Sequence, residues 1–262
     1  MLIDTHCHIY LEEFDEDRDS LIEASRESGI KALLLPNIDC SSVDRLRQVV
    51  EKYPEFCYPM MGLHPTSVGS DYVAELNSIQ SFLSKNQYCG IGEIGIDLYW
   101  DKTFVKEQIE AFEEQLRWSA DCSLPVSIHT RNAFPEVFES IHKVGYEKLK
   151  GVFHSFSGSE EDAKEIRSFK SFKLGINGMV TYKNSSLPDV LRNATTIDDI
   201  VLETDAPYLP PVPYRGKRNL PVYIRETALK VAEIYDLPME ELEIKIKKNT
   251  EQLFSVILDK TK

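Results

Sequence analysis

Met1-Leu2-Ile3-Asp4-Thr5-His6-Cys7-His8 opens the chain as a short apolar run that ends in two histidines. Read as a β-strand, the run alternates its side chains between two faces, so His6 and His8 point one way and Cys7 the other. Two imidazoles on one face can hold one metal ion. The alternative for an isolated His-x-His is a pair of hydrogen-bonded core histidines. The same stretch bears on the fold. An open doubly wound sheet that binds a nucleotide would carry a Gly-rich phosphate loop after its first strand; here two histidines stand instead.

Working outward, short runs rich in Val, Ile, Leu and Phe recur at Leu2–Asp4, Lys31–Leu35, Cys57–Leu63, Tyr88–Gly92, Pro125–His129, Gly151–His154, Phe172–Ile176 and Ile200–Glu203. Helical spacing fills the gaps between them. It is clearest over Phe104–Cys122, where Val105, Ile109, Phe112, Leu116 and Ala120 follow one another at three- or four-residue steps. Alternation of strand and helix implies a parallel sheet. Eight such units in 262 residues fit an α/β fold, a closed (β/α)₈ TIM barrel, as one domain over residues 1–262. Pro207–Pro213 reads as a loop after the last strand. Helices over Pro221–Tyr235 and Met239–Leu258 are expected to close the barrel, the last with Leu242, Ile246, Leu253 and Ile257 as its buried stripe.

With 42% hydrophobic and 28% charged residues, the chain has the makings of an ordinary soluble core. No apolar run approaches the ~20 residues that span a bilayer. A strand beginning at residue 2 leaves no room for a presequence, so a cytoplasmic location without membrane attachment is expected. The cysteines at 7, 40, 57, 89 and 122 are scattered and show no Cys-x-x-Cys spacing, which argues against both a disulfide framework and a cysteine zinc site. A net charge of −13 excludes the basic face typical of non-specific nucleic-acid binders. A phosphate-bearing substrate would therefore have to be held locally, by metal and a few cations. Nothing in the sequence specifies an oligomer, and a monomer satisfies it.

Barrel active sites lie at the C-terminal ends of the strands. Five of the six histidines fall there: His6 and His8, His64, His129 and His154. Only His142 sits elsewhere, on a helix, with no function assigned. The carboxylates Glu93, Glu203 and Asp205 join them at strand ends. Scattered core histidines would not sort this way. Imidazole with carboxylate suits Zn²⁺, Mn²⁺ or Fe²⁺, and carboxylate with water suits Mg²⁺. Two adjacent divalent ions are feasible, one on His6 and His8 with or without Asp205, the other on His129 and His154, with Glu93 bridging. Such a pair supports metal-assisted hydrolysis.

His6-Cys7-His8, Gly62-Leu63-His64-Pro65, Gly92-Glu93-Ile94-Gly95-Ile96-Asp97, His129-Thr130-Arg131, His154-Ser155-Phe156-Ser157-Gly158, Gly175-Ile176-Asn177-Gly178 and Glu203-Thr204-Asp205-Ala206-Pro207-Tyr208 together resemble the motifs of the TatD family of metal-dependent hydrolases, in order and over essentially the whole chain. The resemblance implies a (β/α)₈ barrel and a divalent-metal-dependent deoxyribonuclease, typically a 3′→5′ exonuclease on a single strand or a 3′ end. It implies Glu93, His129, His154 and Asp205 as metal ligands beside His6 and His8. It also implies Asp205 as the residue that orients or deprotonates the attacking water; the alternative is a loop cap.

Glu203, two residues before Asp205, is expected to orient a ligand from behind, or else to be a buried charge paired with a lysine. His64 stands too far round the barrel from His6 and His8 to be read as a ligand. In similar proteins the equivalent position meets the substrate phosphate; the alternative is a hydrogen bond to a neighbouring loop. Arg131, following His129, can grip phosphate bidentately, or can form an ion pair with a carboxylate near the metals. Tyr214-Arg215-Gly216-Lys217-Arg218-Asn219 is the densest basic run, so Arg215, Lys217 and Arg218 are further candidates for phosphate. Tyr99 and Trp100 read as the apolar plug of a loop, or as a surface on which a base stacks. Asn132 and Leu220 depart from the acid that relatives often carry at each position.

Three functions compete. The leading one is the metal-dependent deoxyribonuclease. The second is a metal-dependent ester or amide hydrolase, such as a D-aminoacyl-tRNA deacylase or a lactonase, since the same metals polarise a carbonyl oxygen. The third is a barrel that only binds nucleic acid or a partner, which has no evident need of six ligands at one mouth.

Overall fold

Each short apolar run pairs in parallel with the next one along the chain: Leu2 lies opposite Ile30, Leu33 opposite Cys57, Met60 opposite Gly90, and Val126 opposite Gly151. The computed structural model describes residues 1–84 and 87–254. Its strands are β1 (Leu2–Asp4), β2 (Ile30–Pro36), β3 (Cys57–Met61), β4 (Gly90–Asp97), β5 (Val126–Arg131), β6 (Gly151–Phe153), β7 (Phe172–Ile176) and β8 (Ile200–Leu202), hydrogen-bonded in that order. Past its last residue β8 returns to β1. The Thr5 N–H donates to the Leu202 carbonyl (3.1 Å), the Asp205 N–H to the His6 carbonyl (2.9 Å) and the His8 N–H to the Ala206 carbonyl (2.8 Å). The result is an eight-stranded parallel barrel, as expected.

Helices alternate with the strands: α1 (Arg18–Glu27), α2 (Val43–Lys52), α3 (Tyr72–Leu83), α4 (Val105–Cys122), α5 (Phe134–Val144), α6 (Glu160–Ser168), α7 (Leu187–Ala194), α8 (Ile224–Tyr235) and α9 (Met239–Leu253). Their ends follow from local chemistry. Ser159 and Asp162 form a capping box at the start of α6, each bonding the other's backbone N–H. α4 stops where Ser123 turns into the left-handed region. The expected helix from Pro221 begins as one tight turn over Pro221–Tyr223 and becomes α-helical at Ile224. Leu242, Ile246 and Leu253 form the predicted buried stripe of α9; Ile257 and the expected end at Leu258 lie outside the described residues. Among the described residues no helix is long and apolar enough to cross a membrane.

The core has two layers. Inward side chains of the strands, among them Ile3, Leu34, Met60, Val152 and Val201, form one cluster together with Leu253 and Phe254 from the end of α9. A larger shell between barrel and helices includes Leu33, Ile94, Phe112, Leu116, Val126 and Phe153. Burying a Leu, Ile or Phe side chain is worth about 1.5–3 kcal/mol, so these two layers hold the frame on which the mouth is built.

β4 differs from the sequence expectation in a way that shapes the site. β4 does not stop at Gly92; it runs to Asp97, buried on both faces, and pairs with β5 as far as Asp97 opposite Arg131. Between Ile91 and Ile94 it carries one more residue than its partner. Such a bulge re-aims a side chain, and here it falls at Glu93. Gly95 lets the two strands approach: its φ is +148°, and a Cβ would sit 1.9 Å from the His129 carbonyl oxygen. β1 spans Leu2–Asp4, as expected; past it His6 and His8 come from an irregular segment held by its backbone hydrogen bonds to β8 and the loop after β8, and by that of the Cys7 N–H to the Leu34 carbonyl (3.0 Å).

Candidate metal centre

The bulge in β4 places the Glu93 carboxylate among five imidazoles. Its Oε2 lies 3.1 Å from His6 Nε2 and 3.5 Å from His8 Nε2. Its Oε1 lies 2.9 Å from His129 Nδ1 and 3.2 Å from both His64 Nε2 and His154 Nε2. The two oxygens thus face two separate sets of histidines. Asp205 Oδ1 is 3.8 Å from His6 Nε2 and 3.7 Å from His8 Nε2. The His6 and His154 rings stack at 3.6 Å between centroids. All six residues expected as ligands are therefore brought together. His64, expected to stand apart, also reaches Glu93, because β3 ends early and Pro65 turns the chain back over the mouth.

Hydrogen-bond partners fix which nitrogen each ring presents. Tyr10 donates its single hydroxyl proton to the Pro36 carbonyl (2.7 Å), so at 3.1 Å from His8 Nδ1 it can only accept; His8 carries Nδ1–H and offers the Nε2 lone pair. His154 Nδ1 faces Glu203 Oε1 at 3.3 Å, leaving Nε2 toward Glu93. Among the described residues Glu203 forms no ion pair with a lysine; its carboxylate stands behind the His154 ring. His64 is the reverse case. Its Nδ1 accepts the Thr66 backbone N–H (3.1 Å), so its Nε2 carries the proton and points it at Glu93. That ring is a hydrogen-bond donor at the mouth, and not a ligand through Nε2.

The electrostatics are those of a ligand set awaiting positive charge. Burial pushes the Glu93 carboxyl up, but the imidazoles of His64, His154 and His6 outweigh it and hold it well below the usual range. Burial drives the His6 imidazole well below its ordinary value and lifts the Asp205 carboxyl to about 6. His154 is desolvated too, yet Glu93, Glu203 and Asp205 raise it well above its ordinary value. Among the described residues no lysine or arginine pairs with Glu93 or Asp205. Buried carboxylates whose only counter-charges are imidazoles suit a divalent cation, which favours the deprotonated form of every ligand. Three overlapping triads converge closely enough to share an ion: His6, His8, Glu93; His6, His154, Asp205; and His64, Glu93, His129. The tautomer of His64 argues against the last.

Sequence reasoning left out three supports. Asp97 lies on the Glu93 face of β4 and reaches His129 Nε2 at 2.9 Å; the four-residue spacing from Glu93 was the available signal. Tyr10, two residues past His8, fixes that ring, and Ser127 Oγ lies 3.1 Å from His6 Nδ1.

Five of the six candidate ligands, all but His6, line a 670 Å³ cleft together with Thr66, Trp100, Arg131, Met179 and Tyr208. Arg131 is exposed and, among the described residues, forms no ion pair with a carboxylate; its guanidinium stacks 3.8 Å over the Tyr99 ring. Tyr99 and Trp100 are 53% and 70% exposed, so they are not a plug. The basic run is displaced from the cleft. Arg218, expected to meet phosphate, is instead tied to the Asp17 carboxylate and the Glu13 carbonyl and packs on Phe14. Arg215 lies over Tyr182 (4.2 Å), Lys217 is exposed, and none of the three lines the cleft.

A family model described as TatD related DNase matches residues 3–255. The chain is 32% identical to an uncharacterized metal-dependent hydrolase of Bacillus subtilis, YabD, over 98% of this chain and all of that one. It is 27% identical to YjjV of Escherichia coli, another uncharacterized metal-dependent hydrolase, over 97% of this chain and 98% of that one. The crystal structure of YjjV, a TatD homologue, superposes with a TM-score of 0.89 at 28% identity over 97% and 98% of the two chains. A TatD family hydrolase from Entamoeba histolytica, at 20% identity and a TM-score of 0.83 over 97% of each chain, shares the fold.

Proposed function

The chain belongs to the TatD related DNase family of metal-dependent hydrolases, and from that premise we propose that it hydrolyses phosphodiester bonds of DNA, removing nucleotides from a 3′ end. The observation that carries the reading is the division of the Glu93 carboxylate, Oε2 toward His6 and His8, Oε1 toward His129 and His154. In it, His6, His8 and Asp205 would hold one divalent ion, His129 and His154 a second, with Glu93 between them. Ions of this kind, Mg²⁺, Mn²⁺ or Zn²⁺, supply Lewis acidity toward a phosphoryl oxygen and acidify water.

The chain's own groups do the rest. Asp205, whose Oδ1 faces His6 and His8, accepts the proton of the attacking water. Its left-handed backbone (φ 59°) is held by the hydrogen bond of its N–H to His6. Glu203 keeps His154 oriented, and Asp97 does the same for His129. His64 directs Nε2–H at Glu93 at the rim of the cleft, and Arg131 presents its guanidinium to the oxygens of the phosphate.

A chelator-stripped, metal-restored time course on single-stranded DNA labelled at its 5′ end tests this, with His154→Ala as control. The expected result is a ladder shortening from the 3′ end that needs metal and is absent in the control. No cleavage with any of the three ions would overturn it. One observation favours a second reading, hydrolysis of a carbonyl ester or amide: Arg131 is the sole lysine or arginine among the described residues that line the cleft. Aminoacyl-tRNA and lactones are its test substrates.

A further inference from the structure

Tyr99 and Trp100 follow the end of β4 at Asp97, with the buried Leu98 between, and stand in the open at the rim. Large aromatic side chains exposed side by side call for a function. Their rings meet edge to face, 4.9 Å between centroids. The Arg131 guanidinium lies 3.8 Å from the Tyr99 centroid and 5.1 Å from that of Trp100. The group is built rather than loose. Asp97 Oδ1 accepts the N–H groups of Tyr99 (2.9 Å) and Trp100 (3.2 Å), while its Oδ2 faces His129. One carboxylate therefore ties the aromatic pair to the ligand cluster, and Trp100 and Arg131 line the same cleft as Glu93.

We propose that Trp100, with Tyr99 and Arg131, is a stacking platform for an unpaired nucleobase next to the bond being cut. The inference rests on the nuclease reading and assigns the residues that would contact a base in that site. A base inside a duplex already has neighbours on both faces and offers the indole nothing, whereas any unpaired base presents a π-face. Arg131 supplies the one local cation a phosphate beside that base needs on a chain of net charge −13. Stacking tolerates every base, so the platform confers preference for single strands without preference for sequence.

Trp100 also provides the probe. The only other tryptophan, Trp118, is 5% exposed and bonds Glu114 through its indole N–H. Acrylamide quenching of the metal-stripped full chain, which cannot cut its ligand, therefore reports on Trp100. A short oligothymidylate is expected to shield it, and an abasic oligomer of the same length is not. In anisotropy titrations Trp100→Ala should weaken oligothymidylate binding by about 5- to 150-fold, the worth of one stacked base, with abasic binding unchanged and Trp100→Phe retaining most of the affinity. Equal shielding or equal affinity with and without bases, or no binding of either oligomer, overturns the platform. Cleavage separates the two claims. Equal kcat/KM on base-bearing and abasic strands keeps the nuclease and removes the platform; base-dependent shielding without metal-dependent cleavage keeps the platform and removes the nuclease.

Discussion

Gly175 stands against the carboxylate of Glu203: a Cβ on residue 175 would lie 2.4 Å from Glu203 Oε2. The neighbour is fully buried and itself faces His154, so it has nowhere to retreat without releasing that ring. Gly175→Ala is expected to lower stability by about 1–3 kcal/mol through overpacking and to weaken metal binding together with it. Urea unfolding and a metal titration check this. An alanine variant with parental metal affinity would show that Glu203 does not position His154.

Tyr10 makes a comparable prediction from the other side of the site. Its hydroxyl is the acceptor for His8 Nδ1–H. Tyr10→Phe leaves that donor buried and unpaired, so metal affinity should fall about 10- to 100-fold, as when other partners behind a ligand are removed. Isothermal titration with Mn²⁺ is the check; unchanged affinity would mean that His8 is oriented by the backbone alone.

The arginines at the mouth should separate. Arg131→Ala is expected to raise KM for an oligonucleotide and flatten its salt dependence. Arg218→Ala should leave both unchanged, because its guanidinium already binds Asp17 and the Glu13 carbonyl. Its effect should instead be on stability, about 1 kcal/mol for a partly exposed pair and its packing on Phe14. Steady-state kinetics at several salt concentrations decide between the two arginines.

Asp4 carries a pH dependence of its own. It is fully buried, its Oδ1 accepts the Thr204 N–H, and its Oδ2 meets the Thr204 hydroxyl. Burial lifts its carboxyl from 3.8 to about 8. The folded state then binds the proton more tightly than the unfolded one. Its stabilising contribution is full below the unfolded value and is lost as pH rises through about 8. Between about pH 6 and about pH 9 the chain should lose up to about 2 kcal/mol that Asp4→Asn, neutral throughout, does not lose. Unfolding of both proteins at the two pH values tests it, and an equal decline in the two would contradict it.

The barrel was legible in the sequence because its strands are buried on both faces and read as unbroken apolar runs. The candidate ligands were legible because barrel chemistry gathers at strand ends, where His6, His8, His129 and His154 fall. What escaped was local. The strand expected to stop at Gly92 continues through Glu93, Gly95 and Asp97, because pairing to β5 carries it on to Asp97. Arg218 looked like a free cation because its partners Asp17 and Glu13 are some two hundred positions away in the chain. Exposure of Tyr99 and Trp100 could not be read from composition, since the same pair would fill a buried loop equally well.

The central claim is that Glu93 joins two ion sites through its two oxygens. Metal content per chain after dialysis against Mn²⁺, measured for the parent and for Glu93→Gln, tests it most directly. The account predicts two ions in the parent and loss of at least one in the variant, whose amide cannot serve both histidine sets as an anion. Equal metal content in the two proteins, or full hydrolytic activity in a parent stripped of metal, would contradict it.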